Sequence, residues 1–169
     1  VVRGEGPMFS SGMDLGALAD LGSRPEALRP FRRACIEAWN IAEAMEKPVV
    51  AQLHGACIGG ALELALACDL IVAKESARFG TPEINVGVFP FMIMALIYRN
   101  VPRKRANELL LLGERLSAEE AREAGIVNRV VPAEEFDAAV RAWAAKLAAK
   151  SPVMMKLGKD AIHRSMDMP

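Results

Sequence analysis

The run Val49-Val50-Ala51-Gln52-Leu53 is apolar at nearly every position. A strand of that composition needs cover on both faces. Glycines at 55, 59 and 60 follow it. The run Ala61 to Ala67 then reads as a buried helix, and Leu70-Ile71-Val72-Ala73 as a second buried strand. Strands and helices alternate along the whole chain, so the fold class is α/β.

The remaining elements fit that class. Phe9 to Gly16 is rich in glycine and serine and reads as a loop. Pro25 opens a long helix whose apolar positions are Leu28, Phe31, Cys35, Ala38, Ile41 or Ala42, and Met45. Lys47-Pro48 ends it. Phe79 to Pro90 is loop-rich, with breaks at Gly80, Pro82 and Gly87. An apolar run covers Phe91 to Tyr98, and a helix covers Arg103 to Leu112, closed by Gly113. Ser117-Ala118-Glu119-Glu120 is a capping box with Leu116 as its staple, and Gly125 closes that helix. Ile126 to Val131 reads as a strand. Ala133 to Lys150 reads as a helix with Phe136, Val140, Trp143 and Leu147 on one face.

Ser151-Pro152 starts one more helix shortly before Met168-Pro169. The chain opens on Val1-Val2-Arg3-Gly4. A partial domain over residues 1–169 is the expectation, with no internal repeat or linker.

Composition narrows the function. The 169 residues are 52% hydrophobic and carry 21 basic and 21 acidic side chains, a formal net charge of zero. That balance offers no field for nucleic acid or an anionic membrane. Cys35, Cys57 and Cys68 lack the spacing of a metal site or disulfide framework. They read as buried thiols of a reducing compartment, and a cytoplasmic location is expected. Two histidines, His54 and His163, are too few and too far apart for a zinc site, so no metal is expected. No apolar run approaches membrane-spanning length, and no signal peptide is visible.

Chemistry concentrates between Gly55 and Glu83. In Gly55-Ala56-Cys57-Ile58-Gly59-Gly60 a strand meets a helix start. Free N–H groups and the helix dipole favour negative charge there, and glycines let a ligand approach closely. A tight structural turn has the same signature. Glu63 interrupts the apolar run Ala61-Leu62-Leu64-Ala65-Leu66-Ala67, and no basic residue lies within a turn of it. A raised pKa is the expected consequence, and it suits acid–base work. Glu83 follows Pro82, which fixes the local backbone. Met8-Phe9-Ser10-Ser11-Gly12-Met13-Asp14-Leu15 can supply a second backbone N–H to an oxyanion, or be a plain surface loop.

Taken together, these segments resemble the enoyl-CoA hydratase/isomerase family, also called the crotonase superfamily. Gly4-Glu5-Gly6 through Leu15 resembles its first oxyanion loop. Lys47 through Glu63-Leu64 and Cys68-Asp69 resembles its second, and Phe79-Gly80-Thr81-Pro82-Glu83 follows at the family's spacing. Gly113 to Val131 resembles the segment after the active site.

The resemblance implies a spiral of β-β-α units, here without N-terminal strands and C-terminal helices. It implies an acyl-CoA thioester as ligand, with coenzyme A as part of the substrate and no separate cofactor. It also implies a homotrimer or dimer of trimers. The backbone N–H groups of Met13 and Gly60 correspond to the oxyanion hole. Ser11, Gly12, Asp14, Gly59 and Phe91 fall on substrate-binding positions. Glu63 and Glu83 correspond to the pair that activates water and delivers a proton at the α carbon.

The implied reaction is reversible hydration of a 2-enoyl-CoA. An isomerase using one carboxylate and a non-catalytic acyl-CoA-binding protein are the alternatives. One departure stands out. Hydratases of the family have a glycine-rich turn after the equivalent of Pro90, where this chain has Phe91-Met92-Ile93-Met94. Phe91 either reshapes the acyl pocket or is a packing variant. His54 reads as a turn histidine, His163 as a surface residue, Arg103-Lys104-Arg105 as a solvated face, and Met92 and Met94 as core or interface.

Overall fold

The computed structural model describes residues 1–22 and 24–166. Met168 and Pro169 lie outside the described residues. The elements run β1 (Val2–Arg3), α1 (Leu15–Gly22), α2 (Pro25–Ala44), β2 (Val50–Leu53), β3 (Ala56–Ile58), α3 (Gly60–Leu66), β4 (Leu70–Lys74) and β5 (Arg78–Gly80). A 3-10 turn over Pro82–Val86 leads to α4 (Phe91–Asn100) and α5 (Arg103–Leu112). Then come β6 (Arg115–Ser117), α6 (Ala118–Glu123), β7 (Arg129–Val131), α7 (Phe136–Ala148) and α8 (Pro152–Met166).

Two small sheets share these strands. One is all parallel, in the order β1-β2-β4-β7, and the other has the order β3-β5-β6. β2 lies in the first sheet and β3 in the second, and β4 and β5 repeat the step. A helix follows each pair, so the chain winds as a spiral of β-β-α units. This is the crotonase-like α/β architecture.

Period-two alternation explains how the first sheet is covered. Ala51, Leu53, Ile71 and Ala73 face the main core. Val50 and Val72, on the opposite face, pack with Val131 against Phe136, Ala139 and Val140 of α7. Burial of each large side chain there contributes roughly 1.5–3 kcal/mol. Gln52 is also buried, and its Nε2 donates to Asp137 Oδ1 of α7 at 2.6 Å. Near the chain's end, Lys159 of α8 is 7% exposed. Its Nζ donates to Asp69 Oδ2 at 2.7 Å and to Ala42 O at 3.2 Å. Asp69 Oδ2 also accepts from Val49 N at 2.7 Å.

Several local expectations change. The expected turn between Gly55 and Gly60 contains β3, which pairs in parallel with β5. The loop-rich segment from Phe79 holds the end of β5 and the 3-10 turn. The loop over Phe9–Gly16 is bridged to β3 at Ser10 and Cys57, and α1 already begins at Leu15. Asp14 Oδ1 starts that helix by accepting from Gly16 N and Ala17 N, at 2.8 and 3.1 Å.

Only Arg129–Val131 of the expected strand from Ile126 is extended. Ile126 N and Val127 N instead bond to Ala121 O and close α6. Helix α7 is shorter than the expected Ala133–Lys150. The inward face of α2 includes half-buried Trp39 and buried Ala42, while Ile41 is 66% exposed and Met45 45%. The capping box at Ser117 forms with both of its hydrogen bonds.

Candidate active site

The site is built where β3 turns into α3. Gly59 N donates to Gly80 O at 2.9 Å, extending the β3–β5 pairing by one rung. Gly59 itself has φ +56°. A Cβ on it would sit 2.5 Å from Glu83 Oε1, so the space beside this glycine belongs to the carboxylate. A Cβ on Gly60 would lie 3.6 Å from Glu63 Oε2. The two glutamates therefore flank one glycine corner, brought there from α3 and from the 3-10 turn.

Glu63 is 3% exposed and Glu83 is half-buried. Oε2 of each is buried and accepts no hydrogen bond among the described residues. Burial first, and the charge of Glu83 second, push the Glu63 carboxyl up from 4.5 to about 7. Burial raises Glu83 too, against a backbone hydrogen bond at its own residue that lowers it. Two carboxyls in one poorly solvated corner do not both ionise cheaply, so the pair holds a proton into the neutral range.

The turn carrying Glu83 is fastened from behind. Thr81 is fully buried, and its Oγ1 donates to Leu109 O of α5 at 2.9 Å. Asn85 Nδ2 donates to Gly113 O at 3.1 Å. These anchors lie on both sides of Glu83 and limit how far its backbone can move.

The loop from Phe9 supplies the other wall. Ser10 N donates to Ala56 O and Ile58 N to Ser10 O, at 3.0 and 3.3 Å. Ser10 Oγ accepts from Gly12 N at 3.2 Å. Gly12 has φ +96°, and a Cβ there would meet Ile58 O at 2.7 Å and Gly60 N at 3.4 Å. Only glycine permits that approach. Met13 follows directly, with its Cγ 3.4 Å from the Gly60 Cβ position. The N–H groups of Met13 and Gly60 serve as donors in none of the described hydrogen bonds. Beside them opens a cavity of about 330 Å³, lined by Ser10, Gly12, Met13 and Gly60 on one side. Phe9, Cys35, Ala38, Trp39 and Leu64 line much of the rest, together with the charged Arg3.

The structure thus brings Glu63, Glu83, Gly59, Gly60, Gly12 and Met13 together. Ser11 is exposed on the same loop, and Asp14 caps α1. Phe91 is 69% exposed and packs on Phe89 at 4.8 Å between ring centroids. It lines a different groove, between α2 and α4. Cys57 and Cys68 are buried as expected, but Cys35 is half-buried and lines the cavity. Its position on the apolar face of α2 pointed inward without saying that the face borders a cavity. Trp39, not singled out in the sequence, lies four residues beyond Cys35 on that face.

His54 Nε2 lies 3.0 Å from Gly6 O, with its ring edge-on to Phe136. His163 is half-buried, 3.7 Å from Glu43. Arg105 pairs with Glu108 and Glu120.

Known proteins resemble this chain over nearly its whole length. The family model described as enoyl-CoA hydratase/isomerase matches residues 1–169. The mouse enoyl-CoA hydratase domain-containing protein 3, mitochondrial, is 34% identical over 98% of this chain and 55% of its own length. The 2,3-dehydroadipyl-CoA hydratase of Escherichia coli is 34% identical over 99% of this chain and 65% of its own. The crystal structure of an enoyl-CoA hydratase from Mycobacterium smegmatis superposes with a TM-score of 0.92, at 34% identity, over 98% of this chain and 64% of that one. The chain spans about 55% to 65% of the length of these relatives. With the family model matched from the first residue to the last, the chain belongs to the enoyl-CoA hydratase/isomerase (crotonase) family.

Proposed function

We propose that this site adds water reversibly across the double bond of a 2-enoyl-CoA. The observation that carries the reading is the pair Glu63 and Glu83, each with a buried, unpartnered Oε2, at one glycine corner. With the thioester oxygen on Met13 N–H and Gly60 N–H, negative charge gathering on that oxygen is stabilised. One carboxylate takes a proton from water as the water oxygen bonds to the β carbon. The other carboxyl gives its proton to the α carbon. The pair starts with one proton and ends with one, so hydroxyl and hydrogen are added without external acid or base. A raised pKa near neutrality supports this sharing.

A homotrimer or dimer of trimers belongs to the same proposal. Exposed Leu111 and Leu112 at the end of α5 are apolar surface that such an assembly can cover. The free buried thiols Cys57 and Cys68 fit a reducing compartment, the cytoplasm in this reading. Among the described residues, no helix is long and apolar enough to cross a membrane.

Glu63→Gln and Glu83→Gln, assayed for crotonyl-CoA hydration, test the mechanism. Each is expected to lose about 10²–10⁴-fold in kcat, the usual weight of a positioned acid or base. Unchanged turnover in both variants refutes the hydratase reading. Loss in only the Glu83 variant, with a 3-enoyl substrate preferred, redirects it to isomerisation.

A further inference from the structure

Two cavities meet at one side chain. The first is the 330 Å³ cavity beside Met13 and Gly60. The second, about 270 Å³, lies between α2 and α4, where Ile36, Trp39 and Leu96 share the lining with the charged Arg32, Glu43 and Arg99. Trp39 is the residue common to both linings. Helix geometry explains why. Cys35 and Ala38 point to the inner cavity, and Ile36, Asn40 and Glu43 to the outer groove. At 100° per residue, position 39 falls between those two arcs.

We propose that Trp39 sets the acyl-chain length this site accepts: the inner cavity takes a short 2-enoyl chain, and the indole bars longer tails from the groove beyond. The proposal rests on the enoyl-CoA reading of the site. Three observations carry it. The inner cavity starts at the backbone groups proposed to hold the thioester oxygen, so a chain leaving that carbon enters it directly. Its lining is mostly apolar, with Phe9, Cys35, Ala38, Trp39 and Leu64, which suits a hydrocarbon, and Arg3 is its one charged side chain among the described residues. Its 330 Å³ also stands at the low end of the roughly 300–1,000 Å³ typical of small-molecule sites. The groove beyond Trp39 offers apolar surface from Ile36, Met92, Leu96 and the exposed Phe91 beside the polar Arg32, Asn40, Glu43 and Arg99. Removing the indole joins the two spaces.

The test compares kcat/KM for trans-2-butenoyl-CoA and trans-2-decenoyl-CoA in the parent chain, Trp39→Ala and Trp39→Phe. The parent is expected to favour the four-carbon substrate. Trp39→Ala is expected to raise the ten-to-four-carbon ratio at least tenfold, since even one methylene in an apolar pocket is worth roughly 10-fold. Trp39→Phe should stay near the parent ratio. Trp39→Leu replaces the alanine variant should that one fail to fold. An unchanged ratio in a folded variant overturns the role of Trp39, and so does a parent that prefers the longer substrate. Should the parent hydrate neither substrate, the hydration reading fails on its own. Dissociation constants of butyryl-CoA and decanoyl-CoA then test the wall, with the same expected shift. Absence of binding by both acyl-CoAs overturns it.

Discussion

Replacing Glu63 by glutamine turns a buried acid into a measurable pH dependence of folding. In the unfolded chain the carboxyl titrates near its ordinary 4.5, and in the fold near 7. Below 4.5 both states hold the proton, and Glu63 adds no electrostatic cost. As pH rises from 4.5 to 7, the unfolded chain releases its proton while the folded chain keeps it, so stability falls. Above 7 that loss is complete. At about 1.4 kcal/mol for each tenfold change in proton activity, the gap amounts to roughly 3 kcal/mol. Such a figure is a large part of the roughly 5–15 kcal/mol that holds a domain together.

Glu63→Gln removes the titration and changes little in shape. Whatever constant offset the amide introduces, the stability of the variant relative to the parent should improve by roughly 3 kcal/mol between pH 4.5 and pH 8. Urea unfolding, followed by the fluorescence of Trp39 and Trp143 at one protein concentration, reads the difference at both pH values. A difference that is flat across that range refutes the reasoning. So does a variant that loses ground as pH rises, because either result means that Glu63 ionises in the fold at least as readily as in water.

Two further outcomes follow from the same corner. Gly59→Ala places a Cβ 2.5 Å from Glu83 Oε1, at a backbone with φ +56°. It should cost about 1–3 kcal/mol in urea unfolding and abolish hydration; full activity in a folded variant contradicts the placement. Thr81→Val leaves Leu109 O without its side-chain donor in a buried setting. An expected loss of about 1–3 kcal/mol is checked by urea unfolding, and kcat should fall more than KM rises if the anchor holds Glu83 in register.

What was legible in the sequence follows from which forces are local. The buried strand at Val50–Leu53, the helix carrying Glu63 and the capping box at Ser117 rest on composition and near-neighbour chemistry, and all three form. Glu63 was conspicuous because a lone carboxylate in an apolar helix has few innocent explanations. Strands of three residues were a different matter. β3, β5 and β6 are held by partners 22 to 39 positions away along the chain, and nothing inside them announces that pairing.

The same distance hid Lys159, whose burial depends on meeting Asp69 and Ala42. The side chain of Asp14 starts a helix that the glycines around it had masked. On the inward face of α2 the choice between Ile41 and Ala42 falls to Ala42, and Met45 is exposed, because helical spacing alone does not tell which of two adjacent stripes meets the protein.

The pairing of β3 with β5 also bears on how such a chain can change over time. Ile58 sits opposite Gly80, and Gly59 bonds to Gly80 O. Glu63 is reached by a short helix from one end of that rung and Glu83 by a short turn from the other. The separation of the carboxylates is therefore set across the ladder. It is largely independent of the number of residues strung between them. The exposed turn at Glu75–Ser76, between β4 and β5, can lengthen or shorten without altering the chemistry. A deletion of one residue between Gly80 and Glu83 has no such freedom.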